Sequence, residues 1–357
     1  PMNHHFLLTI PVLLATAAAQ SPAIFPSDYS NVAEGPLNAA NIPLSSGTSR
    51  VMLLYDTADL TVPTGHQITS LGFRQDATLT TMDAGRTLQL EIRMGYTDRT
   101  HTTMLTNFDN NYVSTPVTVF GPTTFVLPNL RDAANPLPNG RVTIPLTTLF
   151  TYSPAAGQNL LVEYRVFGTS GGGAAFSYRL DRADYYSPIT YGPAGCPHSG
   201  GGTPSLTVQP TRPGLSYSCS MSTGPANSVG VLAINAGMHL APAYPLAPVF
   251  QGINPACLGQ MDPTNMVLLS GSSSGSGAAT WSFTIPNDEA FAKFPISSQA
   301  LFLDFFAPGG LVVSRGAEVL TGMRPHCSSL TAAGAPTVVT TGSVSQFYCP
   351  VAFFGFN

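Results

Sequence analysis

The chain has 357 residues, of which 9% are charged, and its formal net charge is −4 at pH 7. Typical soluble domains have about 25% charged residues, so solubility here depends on uncharged polar side chains. The absence of a basic run argues against a nucleic-acid partner. The 43% hydrophobic content, with twenty Phe and thirteen Tyr, argues against a disordered chain.

The N-terminal segment 1–19 is typical of a secretory signal peptide. An apolar run from Phe6 to Ala15 precedes the small residues Ala17–Ala19, which form a cleavage pattern. We therefore expect a secreted or cell-surface protein whose mature chain begins at Gln20. No second apolar run approaches the roughly 20 residues that span a membrane, so no transmembrane segment is expected in the mature chain.

The rest of the chain is divided by Gly and Pro into short apolar segments with the turn signals of strands. In Thr87–Tyr96, apolar and polar residues alternate, which predicts a half-buried antiparallel strand. The predicted strands are Arg50–Tyr55, Gln67–Phe73, Thr87–Tyr96, Val117–Phe120, Arg141–Pro145, Asn159–Phe167, Ala174–Leu180, Gly230–Asn235, Met266–Leu269, Thr280–Ile285, Ala300–Phe306, Leu311–Ser314, Val338–Thr341 and Ser345–Ala352.

A change in composition near residues 195–215 predicts a domain boundary. The stretch is rich in Gly, Pro, Ser and Thr, and arginine becomes rare after it. We therefore predict an all-β protein with two antiparallel β-sandwich domains in tandem, of jelly-roll or Ig-like type. Residues 20–195 form the first, 196–214 a linker, and 215–357 the second. One large β-domain with a long insertion is the alternative.

Five cysteines lie after residue 195, and an exported chain permits disulfides. Two bonds among five cysteines allow fifteen arrangements, so the connectivity stays open. The preferred bond is Cys327–Cys349, which would fix the C-terminal segment as a loop.

Several strings resemble a group of secreted, uncharacterised β-rich proteins of planctomycete bacteria. They cover most of the mature chain and are Gly72–Asp76, Asp83–Leu90, Asn107–Tyr112, Arg131–Pro136, Phe167–Gly173, Tyr178–Tyr185, Ile253–Cys257 and Gln299–Pro308. The resemblance implies secretion and a β-rich architecture. It implies no particular activity.

One motif suggests a catalytic site. Gly168–Gly172 fits the G-x-S-x-G pattern with Ser170 as nucleophile, but the chain offers no helix to present that serine. The alternative is the tip of a hairpin. A hydrolase of an extracellular polymer would use Ser170 or a pair of carboxylates among Asp76, Asp83, Asp181 and Asp184.

Two further patterns suggest binding. A run of aromatic and basic residues could form a sugar-binding platform; its members are Tyr178, Arg179, Arg182, Tyr185 and Tyr186. Asp109 and Asn111 offer oxygen ligands for a structural Ca²⁺. Core packing explains the first pattern equally well, and turn chemistry explains the second. No other cofactor is expected.

The favoured function is therefore that of an exported, non-catalytic binding, adhesion or structural protein. Its expected partners are an extracellular polysaccharide, a cell-surface matrix or a second copy of itself. The secreted hydrolase is the alternative.

Overall fold

A computed structural model describes residues 21–31, 39–45, 47–77, 85–132, 137, 140–170, 178–183, 189–237 and 243–357. Within these ranges the regular structure consists of strands and short 3₁₀ turns, so the all-β prediction is confirmed. The predicted signal peptide, 1–19, lies outside the described residues. Where the chain is described, no helix has the length and apolar character needed to cross a membrane.

The strands follow one another along the chain with few interruptions. Their bounds are β1 Ala23–Phe25, β2 Ala39–Ala40, β3 Ser49–Tyr55, β4 Gln67–Arg74, β5 Arg86–Thr97, β6 Val117–Leu127, β7 Arg141–Thr151, β8 Asn159–Thr169, β9 Leu180–Asp181, β10 Thr190–Tyr191, β11 Ser205–Val208, β12 Ser216–Ser222, β13 Val229–Asn235, β14 Tyr244–Pro245, β15 Leu258–Gly259, β16 Met266–Ser272, β17 Ala279–Thr284, β18 Pro295–Leu303, β19 Leu311–Leu320, β20 Cys327–Ala333, β21 Ser343–Gln346 and β22 Ala352–Phe356. The 3₁₀ turns are Ser27–Asn31, Asp109–Asn111, Pro263–Asn265, Glu289–Phe291 and Pro308–Gly310.

Two sheets share the first hydrophobic core, and we call this unit the first sandwich. A six-stranded sheet has the order β21-β20-β3-β8-β5-β6, and a four-stranded sheet has the order β1-β22-β4-β7. Along β5, Leu88, Leu90 and Ile92 alternate into this core. The alternation in the sequence therefore identifies the buried face of β5 correctly.

Two other sheets enclose a second core, and we call this unit the second sandwich. A five-stranded sheet has the order β10-β19-β18-β13-β16, and a three-stranded sheet has the order β11-β12-β17. Phe302 from β18 and Trp281 from β17 meet in this core with ring centroids 5.9 Å apart. All strand pairs in both sandwiches are antiparallel among the residues described.

The predicted domain limits are wrong at the C-terminal end. The last three strands return to the first sandwich: β20 pairs with β3, β21 with β20, and β22 with both β1 and β4. The assignment of 215–357 to one domain fails because strand signals are local, whereas pairing partners are distant in sequence. The second sandwich is thus inserted between β9 and β20.

The predicted linker, 196–214, is also structured. It contains β11, which pairs with β12, and Cys196 is fully buried in the second core. Its Gly and Pro content reflects tight turns rather than a flexible connection.

The described cysteines form two disulfides, and the predicted bond Cys327–Cys349 is confirmed. The second bond joins Cys196 to Cys257 within the second sandwich. Cys219 is a buried free thiol, and burial raises its pKa to about 11. Two disulfides fit a protein that folds in an oxidising compartment.

The outer face of the six-stranded sheet carries a ladder of alternating charges beneath a covering loop. Six side chains, three acidic and three basic, follow one another as Asp109, Arg50, Glu163, Arg165, Glu91 and Arg93, each in contact with the next. Glu163 is fully buried at the centre. Its carboxylate accepts bonds from Arg50 Nε at 2.5 Å, Arg165 Nε at 2.7 Å and Tyr112 Oη at 3.0 Å.

Candidate binding surface

The candidate nucleophile Ser170 lies directly after β8. Its amide donates to the Thr87 carbonyl at 3.0 Å, and its Oγ accepts from the Thr87 amide at 3.2 Å. These bonds extend the pairing of β8 with β5. No histidine contacts this hydroxyl within the described part of the chain, so the structure does not assemble a triad around Ser170.

Of the four candidate carboxylates, Asp76 and Asp181 lie within the described residues. Asp181 is buried and pairs with Arg74, whose Nε lies 2.5 Å from Asp181 Oδ2. Asp76 is also buried, and its amide donates to the Arg179 carbonyl. Asp83 and Asp184 lie outside the described residues.

The predicted sugar platform is wrong for its first member. Tyr178 is fully buried in the first core, and its hydroxyl donates to the Pro128 carbonyl at 2.9 Å. Arg179 is half-buried, and Arg182 lies over the ring of Tyr348 at 4.6 Å. The other two members, Tyr185 and Tyr186, lie outside the described residues. Core packing, the alternative interpretation, therefore accounts for Tyr178.

The two candidate calcium ligands serve separate purposes. Asp109 binds Arg50 at 2.6 Å, whereas Asn111 is buried and bonds the backbone of its own loop. Its side-chain oxygen accepts from the Leu105 amide at 2.8 Å, and its nitrogen donates to the carbonyls of Leu105 and Asn107. In the described ranges no group of three His, Cys, Asp or Glu side chains is placed to hold a metal. A structural Ca²⁺ stays a prediction.

The most exposed aromatic side chains of the described structure lie on the second sandwich, in the turn between β18 and β19. Phe305 is 84% exposed and Phe306 is 91% exposed. Most exposed apolar residues on protein surfaces are single and need no explanation. Two adjacent phenylalanines are different, because fully solvated rings lose the free energy that burial would provide. Such a pair is therefore a candidate contact site.

A buried carboxylate holds this turn in place. Asp304 accepts from the Ser199 amide at 2.7 Å, from Ser199 Oγ at 2.9 Å and from the Phe306 amide at 3.2 Å. Burial by itself raises the pKa of Asp304, but the bonds from Ser199 and Phe306 outweigh it and hold the pKa below its ordinary value. The turn is thus fixed by a charged side chain that remains ionised.

The loop that supplies Ser199 is itself anchored. It follows Cys196, whose disulfide to Cys257 and amide bond to the Val313 carbonyl attach it to the sheet. His198 closes the loop, since its Nδ1 accepts from the Gly200 amide at 3.0 Å. In the neutral ring, Nε2 therefore carries the proton.

A cleft of about 550 Å³ lies between the two loops and the start of β13. Its lining combines the rings of Phe305 and Phe306 with the polar side chains of His198, Ser199 and Asn227. Asp304 is the only carboxylate among the described residues that line it, and its oxygens are occupied. This combination suits an uncharged ligand with a flat apolar face and hydroxyl groups.

Sequence patterns did not indicate this surface. The sequence predicts one apolar strand over Ala300–Phe306, whereas β18 ends at Leu303. Asp304 in front of the turn-forming sequence 307–310 is the signal that marks the end, since aspartate accepts bonds from the backbone two residues on. The two rings consequently leave the core.

A second cluster of titratable groups joins the two sandwiches. The His326 ring lies between Asp59 of the first sandwich, 2.9 Å from Nδ1, and Glu289 of the second, 2.8 Å from Nε2. It stacks on His101 with ring centroids 4.9 Å apart, and His101 faces Asp56 at 3.9 Å. Because both ring nitrogens of His326 bind carboxylates, the cluster forms a link between the sandwiches.

The hydrogen bond to Asp59, together with that to Glu289, outweighs partial burial and raises the pKa of His326 to about 9. A raised pKa means that the stabilisation is fully present below the ordinary value of 6.5 and is lost as the pH rises through about 9. We expect wild type to exceed His326→Gln in melting temperature at neutral pH, and the difference to vanish above that value. In an Asp59→Asn background, the difference in melting temperature caused by His326→Gln should depend less on pH. If wild type and His326→Gln still differ as much at alkaline pH as at neutral pH, the link does not act through the charge of His326.

No protein-family model matches the chain, and no curated protein matches it. Among solved structures, the chain is similar to one described as the crystal structure of a tetra-tandem repeat in the extending region of a large adhesion protein. The match covers 89% of this chain and 84% of that chain, at 12% sequence identity and a TM-score of 0.20. A similarity at this level carries no argument about function.

Proposed function

We propose that the chain is an exported, non-catalytic binding protein that attaches to a neutral extracellular polysaccharide or polysaccharide matrix. The observation that carries the proposal is the exposure of Phe305 and Phe306, in a turn anchored by Asp304, at a cleft that they line together with a few polar side chains. Export is supported by the two disulfides and by the predicted signal peptide, 1–19.

The chemistry of the cleft supports a neutral sugar polymer over other ligands. Aromatic faces stack on the apolar faces of pyranose rings, and His198 and Asn227 offer partners for hydroxyl groups. An anionic polymer would need free cationic side chains, and among its described lining residues the cleft has no Arg or Lys. No observation at this surface favours the hydrolase. Glycoside hydrolysis uses two carboxylates that flank the scissile bond, whereas the described lining of the cleft has one, Asp304.

Replacing both rings should weaken retention strongly without affecting folding. We expect wild type to be retained on at least one of the insoluble neutral polymers cellulose, chitin and β-1,3-glucan. The double variant Phe305→Ser, Phe306→Ser should lose about tenfold or more in affinity, because each stacked ring contributes on the order of 1 kcal/mol. The measurement is a depletion isotherm on each polymer.

Val338→Ser is the matched control, since Val338 is 75% exposed on the first sandwich. It should bind like wild type, and all the variants should keep the wild-type melting temperature because surface substitutions change stability little. Failure of wild type to bind any of these polymers, or equal binding by the double variant, would refute the proposal.

A further inference from the structure

One flank of the second sandwich consists of two edge strands. β16 ends the five-stranded sheet, β17 ends the three-stranded sheet, and the turn 273–278 connects them. An edge strand presents backbone N–H and C=O groups that another strand can bind. β16 pairs on one side with β13 over all seven of its residues, and no described strand pairs with its other side.

This flank lacks the features that usually protect an edge. No charged residue occurs between Asp262 and Asp288, and neither β16 nor β17 contains a proline. The pairing of β16 with β13 and of β17 with β12 has no register shift. β16 also exposes Met266 by 37%, Val267 by 60% and Leu268 by 57%.

The corresponding flank of the first sandwich is different. There the edge strands are β6 and β7, and each contains a proline, Pro122 and Pro145. Both are also irregular, since register shifts interrupt the pairing of β6 with β5 and of β7 with β4. Prolines and bulges prevent the addition of further strands. The same chain thus protects one flank and leaves the other open.

We propose that a second copy of this chain pairs with β16, antiparallel and about a two-fold axis, so that two five-stranded sheets become one continuous sheet. Self-pairing fits the charges, because an uncharged strand opposes no like charges when it meets its own copy. Antiparallel pairing about an axis within β16 places the two Asp262 carboxylates at opposite ends of the interface. A two-fold contact of this kind closes on itself and yields a dimer.

Pairing through β16 does not involve Phe305 or Phe306. Sedimentation velocity of the full-length chain should show a dimer that dissociates on dilution. Val267→Lys places a charge in the pairing edge and should shift the chain to monomer. Val126→Lys is the matched control, since Val126 is 66% exposed on the protected edge strand β6, and it should leave the dimer unchanged.

Hydrogen exchange provides a readout that needs no variant. Exchange of backbone amides in 266–272 should slow as the wild-type concentration rises, because pairing with a second copy protects them. A chain that stays monomeric at all concentrations, a dimer that persists in Val267→Lys, or exchange in 266–272 that does not depend on concentration would each overturn the proposal.

Discussion

Deleting residues 327–357 is expected to prevent folding of the first sandwich while the second remains folded. The deletion removes β20, which pairs with all of β3, and β22, which lies between β1 and β4. It also removes Phe353 and Phe354 from the first core. Loss of one buried Phe side chain costs about 3–5 kcal/mol, and whole domains are stable by only about 5–15 kcal/mol. Loss of both rings and of three strands, β20, β21 and β22, therefore exceeds what the first sandwich can tolerate.

Trp281 allows the two sandwiches to be observed separately. It is the only tryptophan of the chain and lies buried in β17 of the second sandwich. In the shortened chain, tryptophan emission should stay native-like, while proteolysis should degrade residues 21–183. A tandem arrangement, with 215–357 as one domain, makes the opposite prediction: the second sandwich would unfold and the first would resist proteolysis.

Replacing Glu163 by alanine is expected to destabilise the first sandwich by about 3–5 kcal/mol, because removal of one partner leaves buried charges uncompensated. Arg50 and Arg165 both donate to this carboxylate, and both are buried beneath the covering loop. Burial, reinforced by the charge of Glu163, raises the pKa of Tyr112 well above its ordinary value, so its phenol stays protonated and donates to Glu163.

Urea unfolding followed by near-ultraviolet circular dichroism measures this effect. Asp109→Ala is the control. Asp109 also contacts Arg50, but it ends the ladder and its side chain is 67% exposed. Its removal should cost less than about 1 kcal/mol, as is usual for exposed ion pairs. If Glu163→Ala costs no more than Asp109→Ala, the ladder does not stabilise the sheet in the way described.

The strands were predictable from the sequence because their signals are local. Alternation in Thr87–Tyr96 indicated both the strand and its buried face, which the structure extends to Arg86–Thr97. The preferred bond, Cys327–Cys349, is likewise present in the structure. Within β5, however, Glu91 proved buried, since the polar face of this strand is covered by a loop that no periodicity reveals.

The arrangement of domains and the candidate site were not predictable in the same way. The return of β20 to pair with β3 joins residues about 280 positions apart, and apolar alternation carries no information on such partners. Tyr178 suggested an exposed platform, but its side chain is buried in the first core, where its hydroxyl donates to the Pro128 carbonyl. Phe305 and Phe306 suggested a buried strand, but the bonds from Ser199 to Asp304 turn the chain outward.

The most direct test of the proposed function is hydroxyl-radical footprinting of the chain on the polymer that retains it. Oxidation of Phe305 and Phe306 should fall strongly between the free and the bound chain, while Phe347 on the first sandwich should react equally in both. Unchanged oxidation of Phe305 and Phe306 in the bound chain, with protection elsewhere, would show that a different surface makes the contact and would contradict the account.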